Sequence, residues 1–314
     1  MLARKTMSGR AALASFAALP VLACGPMLAC KGNETAALSL PGPSQLPPPS
    51  SSAPAAGPRP DASFVVGYSR GCPDWMVRIG DSPEDYCIDR FEDHLVELRN
   101  GFEKVHPPAV RPRNSGLIAR SAPGVFPQSS IDQLQASQAC RNAGKRLCTL
   151  HEWKRACMGV RGYTYPYGDK EMTGMCNTRK PHLVSMLFGN DNKKWTRSDM
   201  NDPVLNSLQG YLAKSGEYSS CVSSYGVYDM VGNLHEWVSD IVDAGIMGSM
   251  PYIGKSKPTG GPTAAVGNGI FMGGFYSSGN QNGEGCNYMT IAHPPQHYDY
   301  STGFRCCKGA EELH

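Results

Sequence analysis

Twelve cysteines are the strongest constraint on what this chain of 314 residues can fold into. Cys24 and Cys30 stand near the start. The other ten run from Cys72 to Cys307, spread along the chain rather than grouped in the C-x-x-C pairs that hold zinc. Such usage is foreign to a reducing cytosol and expected in an oxidising compartment, where thiols become covalent staples. A chain stapled in this way can be stable with little regular secondary structure.

The N-terminus agrees with export. Arg4, Lys5 and Arg10 precede an apolar, alanine-rich run from Ala11 to Ala23, the n- and h-regions of a signal peptide. The run is too short to span a bilayer permanently. It ends in V-L-A-C at Cys24, and M-L-A-C follows at Cys30; a small residue before a cysteine resembles a bacterial lipoprotein processing site. Cys24 is the expected lipidated residue, because it directly follows the apolar run and has Val21 at the third position upstream. Lipidation at Cys30, or ordinary cleavage that discards both cysteines, are the alternatives. The expected location is therefore the cell envelope (periplasm or cell surface), as a membrane-anchored lipoprotein.

Residues 31 to 62 are rich in Pro, Ser and Ala and carry almost nothing large and apolar. Such a segment cannot bury enough surface to offset its ordering entropy, which predicts an extended tether. The expected organisation is a signal peptide over 1–23, a linker over 24–62 and a single domain over 63–314. A formal net charge of +3, with Lys and Arg scattered, offers no basic stripe, so no nucleic-acid partner is expected.

Within the domain, Met76–Gly80 and Tyr86–Glu92 alternate like short strands, bracketed by Cys72 and Cys87, which could form a local disulfide. Residues 101–129 read as a loop punctuated by Pro and Gly. A helical pattern begins at Ser130, with Ile131, Leu134, Ala139, Cys140 and Ala143 on one face and Gly144 as the stop. Thr149 to Glu152 is a capping box that opens a second helix, carrying Trp153, Ala156 and Cys157 inward. Beyond Tyr163 periodicity fades, apart from short apolar runs such as Gly269 to Met272.

Ser223 to Trp237, S-S-Y-G-V-Y-D-M-V-G-N-L-H-E-W, is too irregular for one helix or strand and needs outside help to hold its shape. Asp229 and Glu236 are hard anionic oxygens. Gly226 and Gly232 let the backbone turn its carbonyls toward one centre, a donor set suited to calcium. The competing reading is that Asp229 caps a turn and Glu236 is solvated.

Five ordered blocks now carry a resemblance: A-G-K-R-L-C-T-L-H-E-W (143–153), Y-P-Y-G-D (165–169), Y-G-V-Y-D-M-V-G-N-L-H-E-W (225–237), M-G-G (272–274) and G-F-R-C (303–306). Together they resemble the sulfatase-modifying factor family, whose best-known member is the formylglycine-generating enzyme. The resemblance covers roughly residues 64 to 309. It implies an α+β, C-type-lectin-like fold, low in regular secondary structure, stapled by disulfides and bound to calcium. It also implies the pairs Cys140–Cys306 and Cys157–Cys286. Parity and order then leave Cys148 for Cys307 and Cys176 for Cys221. For calcium it implies Asp229, the carbonyls of Gly232 and Leu234, and Glu236. A second implied site begins at Asn177 and the Thr178 carbonyl, its remaining ligands falling in the divergent stretch from Arg179 to Ser220.

One departure decides the functional expectation. Catalytic members of that family carry two cysteines between the G-G block and the structural cysteine matching Cys286, and these bind copper(I) to oxidise a sulfatase cysteine to formylglycine. Here the span from Gly274 to Cys286 contains no cysteine between its glycine-rich start and Cys286 itself. No copper is expected, and the family's oxidase activity is kept only as the alternative. Ser277 and Ser278 with His293 or His297 lack a G-x-S-x-G elbow. His235-Glu236 lacks the second histidine of H-E-x-x-H. His293 and His297 are four apart, but Pro294 and Pro295 forbid the helix that would align them. The expectation is a pseudoenzyme acting as a binding or scaffold module, with Tyr276, Ser278 and Asn280 meeting an unidentified peptide, protein or glycan.

Overall fold

The computed structural model describes residues 71–80, 85–249 and 263–309, which lie in one compact unit. The signal peptide, the linker and the candidate lipidation site Cys24 lie outside the described residues.

Three small sheets form the framework. β1 (Met76–Ile79), β2 (Tyr86–Asp89), β11 (Cys306–Gly309) and β6 (Arg146–Leu147) make the first, in that spatial order. The second runs β10 (Thr302–Phe304), β7 (His235–Ile241), β8 (Gly269–Met272), β9 (Met289–His293); β10 and β7 are parallel, and Gly303 stands opposite Glu236. The third is β4 (Phe102–Val105), β3 (Asp93–Arg99), β5 (Ile118–Ser121), and β4 and β5 lie in the 101–129 region expected to be loop. Its hairpin turns at Asn100 and Gly101, both at positive φ (52° and 82°), a conformation that asparagine and glycine adopt at little cost. Every residue of β4 is exposed, so no alternation of apolar and polar residues marked it.

Two helices of more than two turns pack on these sheets. α1 (Gln133–Asn142) starts at Asp132, whose carboxylate accepts the Gln135 N–H in a capping box. Its buried face is Gln133, Ala136, Ala139 and Cys140, whereas Leu134 points outward and is 52% exposed. The expected inward Leu134 is thus corrected. The helix begins three residues later than Ser130, and Gln133 turns inward because its amide donates to the carbonyls of Val238 (2.6 Å) and Asp240 (3.0 Å). α2 (Leu150–Met158) carries the capping box of Thr149 and Glu152 and ends at Gly159, with Trp153, Ala156 and Cys157 buried. α3 (Leu183–Phe188) and α4 (Ala244–Ser249) are single short turns of helix.

The five disulfides join Cys72–Cys87, Cys140–Cys306, Cys148–Cys307, Cys157–Cys286 and Cys176–Cys221. Three of them thread the largest apolar cluster, around Ile79, Ile88, Trp153, Val238 and Met272. Cys140–Cys306 lies in a second cluster with Leu95, Ile131, Trp237 and Phe304. A third cluster is built where the divergent stretch, through Leu183, Leu205 and Leu212, meets Phe275, Tyr276 and Tyr300. Closing loops of 129 to 166 residues, as the three longest bridges do, stabilises the fold by about 5 kcal/mol each on the chain-entropy account.

Candidate functional site

The segment from Ser223 to Trp237 enters as a tight turn, with Gly226 N–H donating to Ser223 and Tyr228 N–H to Arg90. It then passes through two non-glycine residues at positive φ, Asp229 (59°) and Asn233 (55°). Gly232 also lies at positive φ, and a Cβ there would stand 2.2 Å from the Asn177 carbonyl oxygen, so only glycine fits. Asn233 N–H donates to that carbonyl and Gly232 N–H to Gly273. The segment is therefore pinned to both the Asn177 turn and the M-G-G block.

Beneath it lies a buried charge cluster. Arg305, 0% exposed, donates from Nε and Nη2 to both oxygens of Glu236 at 2.6 Å each. Trp153 Nε1 adds a third hydrogen bond to Glu236 at 2.7 Å. Glu92 accepts the Leu234 N–H (3.0 Å) and the Asn233 side-chain amide, while Asp229 accepts the Gly216 N–H at 2.6 Å. Burial, reinforced by neighbouring acids, pushes the Glu92 carboxyl well up. Burial likewise pushes Asp229 up to about 7. The Arg305 guanidinium stays firmly charged: burial opposes the charge, but Glu236 beside it outweighs that. Three buried carboxyls thus face one guanidinium. Sequence reading missed Glu92 and Arg305, although Arg305 sits in the G-F-R-C block that was read only for its cysteine.

This geometry can be compared with the calcium ligands the resemblance implies. The excess of buried acid suits a further cation. Asn177 Oδ1 is buried without a hydrogen-bond partner, while its amide donates to Tyr211 O (2.9 Å) and Asn233 Oδ1 (2.8 Å). An orphaned acceptor beside the Thr178 carbonyl is what a hard cation would satisfy. Glu236 fits less well, since Arg305 already holds both of its oxygens. Asp229, Gly232, Leu234 and Glu236 lie on one segment, and Asn177 with Thr178 abuts it at Gly232.

The loop that would carry the catalytic thiols follows Gly273 and Gly274, both at positive φ. Tyr276, expected at the surface, is 0% exposed: its ring packs on Tyr211 and Tyr300, and its hydroxyl donates to Asn206 Oδ1 at 3.1 Å. It is a core residue, buried because the divergent stretch supplies the wall against which it packs. Ser278 is buried too, accepting the Phe275 N–H (3.0 Å) and donating to the Tyr288 hydroxyl (3.4 Å). Asn280 is exposed and donates to Glu171 at 3.4 Å. Ser278 and Asn280 line a pocket of about 20 Å³ together with Tyr165, Tyr167 and Glu171, room for about one water. Arg179 pairs with Glu171 at its rim. Cys286, beside this pocket, is bonded to Cys157.

The remaining candidates resolve differently. Ser277 donates to the Pro181 carbonyl (3.1 Å) and Ser278 to Tyr288, so neither serine is hydrogen-bonded to a histidine. His293 and His297 are aligned after all. Pro294 and Pro295 exclude a helix but allow a turn, closed by His297 N–H to Pro294 O (2.9 Å), that stacks the two imidazoles 3.8 Å apart. His297 meets Asp299 at 3.1 Å; burial opposes the charge of that carboxylate, but His297 and Ser301 hold it well below the usual range. Burial lowers His235 to about 3 and His293 to about 4, so both are neutral imidazoles. Among the described residues the one His, Cys, Asp and Glu grouping with metal-like spacing is Asp93, Cys140 and Cys306, and its two sulfurs are already bonded to each other.

Comparison with known proteins gives this geometry its context. The sulfatase-modifying factor enzyme 1-like domain family matches residues 67–310. A bovine (Bos taurus) protein, "Inactive C-alpha-formylglycine-generating enzyme 2", is 28% identical over 115 residues, which are 36% of this chain and 33% of that protein. The chain therefore spans about a third of that relative's length. Solved structures that resemble it include the I1 variant of the Major Tropism Determinant, at 13% identity and TM-score 0.40, covering 75% of this chain and 55% of that one. CarF is 15% identical at TM-score 0.36, covering 72% of this chain and 86% of that one.

Proposed function

We propose that this chain, which belongs to the sulfatase-modifying factor domain family and has its α+β, C-type-lectin-like fold, is an exported lipoprotein in which the domain serves as a non-catalytic binding or scaffold module. The observation that carries the reading is the thiol-free loop from Gly274 to Glu284, followed by a Cys286 already consumed in a disulfide. A copper(I) site needs soft sulfur ligands, and this loop offers only hydroxyl and amide groups. Similarity to a bovine relative named as inactive supports the same reading.

Export is supported by the five disulfides. Attachment through a lipid on Cys24 is part of the proposal and rests on the V-L-A-C that ends the apolar run; among the described residues no helix is long and apolar enough to cross a membrane. The ligand-facing surface in this reading is the exposed rim of Asn280, Glu171 and Arg179 rather than Tyr276. Calcium is proposed at Asp229 with the Gly232 and Leu234 carbonyls, and at Asn177 with the Thr178 carbonyl. Glu236 then supplies charge while Arg305 holds its oxygens. A bound calcium would neutralise buried acid and fix the turn.

Two experiments test the reading. Incubating the purified chain with a cysteine-containing sulfatase peptide, copper and oxygen should leave the peptide mass unchanged; an aldehyde product overturns the non-catalytic assignment. Calcium chelation should lower the melting temperature by several degrees, restored by calcium and not by magnesium. An unchanged melting temperature removes calcium from the account.

A further inference from the structure

A second cavity lies away from everything above. A groove of about 210 Å³ opens between α1 and the third sheet and shares no lining residue with the pocket at Asn280. Its apolar lining is Leu95, Leu117 and Ala139, all buried, with Leu134 standing half exposed at the side. Leu134 is the residue that the helical pattern predicted to be inside. Its outward position is what gives the groove an apolar wall instead of a polar helix face.

The rim carries one unmatched charge. Gln135 is committed to the capping box and to the Pro112 carbonyl, and Gln138 to Asn142 and Arg141. Asn114 holds the Gly116 N–H and donates to Glu97. The neighbouring acids are also taken, Glu97 by Arg99 at 2.7 Å and Asp132 by Arg111 at 3.0 Å. Arg113, which lines the groove and is exposed, has no hydrogen bond or ion pair among the described residues.

We propose that this groove, with its apolar floor of Leu95, Leu117 and Ala139 and its Leu134 wall beside the unpaired guanidinium of Arg113, captures the carboxyl-terminal residue of a peptide whose last side chain is large and apolar. Two arguments select that occupant. The volume is below the roughly 300 to 1,000 Å³ of pockets that enclose drug-sized ligands, and it suits one side chain rather than a lipid tail. A single planar cation at the edge of an apolar well complements a chain-terminal carboxylate, which it meets with paired hydrogen bonds. An interior peptide residue would place no charge there and leave Arg113 unmatched.

The test uses the full chain and a fluorescein-labelled hexapeptide ending in leucine with a free carboxylate. The same peptide as its C-terminal amide and a version ending in serine serve as comparisons. Saturable binding of the leucine acid is expected, with the amide weaker by about threefold to fivefold, the scale of one solvent-exposed ion pair. Arg113→Gln should erase the difference between acid and amide while leaving residual binding. Leu134→Gln, a helix-compatible change at a half-exposed position, should weaken both peptides without moving the unfolding midpoint. Equal affinity for acid and amide overturns the proposal. So does an acid preference that survives Arg113→Gln, or the absence of saturation at millimolar peptide.

Discussion

Two neighbouring regions divide the work of this domain. Ser223 to Trp237 is irregular in backbone yet fixed by buried charge: Glu236, Glu92 and Asp229 around Arg305, with Gly232 pressed against the Asn177 turn. Gly274 to Cys286 is just as irregular but its first half has been closed by packing, with Tyr276 buried and Ser278 turned inward, while Asn280, Gln281 and Glu284 stay at the surface. The first region keeps polar groups because they brace the fold. The second carries no thiol before Cys286, and its Phe275, Tyr276 and Ser278 are packed into the core. An irregular loop can thus be held by charge or by packing, and only the first kind leaves its signature in the residue types.

That contrast can be broken experimentally, and the largest effect should come from the charged region. Arg305→Met leaves Glu236 buried and unpaired, and a loss of about 3 to 5 kcal/mol is expected in denaturant unfolding. A loss under 1 kcal/mol would move the brace elsewhere. Next, replacing Cys176 and Cys221 together by Ser opens the 45-residue loop that walls in Tyr276, with an expected cost of about 4 kcal/mol on the entropic account. Near-UV dichroism should then change as Tyr276 loses its wall.

A smaller effect is carried by pH. The folded-state value of His293 is depressed by burial, so the unfolded chain takes up a proton first as pH falls. Stability should be full above the unfolded value of about 6.5 and decline toward about 4, by a few kcal/mol at most. His293→Asn should flatten that decline, and an unchanged slope would assign it to other groups. The smallest effect belongs to the packed region: Tyr276→Phe removes one hydroxyl bonded to Asn206 and should cost about 1 kcal/mol without altering any binding measured at the Asn280 rim.

Much of this was legible in the residues. The capping box at Thr149 and Glu152, the blocks that carry the family likeness and the absent thiols are local or ordered signals, and the disulfide pairs in the structure coincide with the local bridge read at Cys72 and Cys87 and with those that the blocks and parity implied. What escaped depended on partners far along the chain. Gln133 is inside because strand carbonyls at Val238 and Asp240 need donors, which no helical period announces. Tyr276 is inside because the stretch from Leu183 to Leu212, far earlier in the chain, packs over it. The hairpin of β3 and β4 did carry a signal, Asn100-Gly101, but the strand after it is exposed throughout and hid the alternation.

The arrangement at the end of the chain bears on how such a protein can be made. Arg305, Cys306 and Cys307 follow one another, and they satisfy Glu236, Cys140 and Cys148, which emerge from the ribosome or a translocation channel far earlier. Until those last residues arrive, a buried acid lacks its counter-charge and two early thiols lack their mates. Cys72–Cys87, Cys176–Cys221 and Cys157–Cys286 have both partners earlier in the chain, but the Glu236 ion pair and the Cys140 and Cys148 bridges can form only once residues 305 to 307 are present.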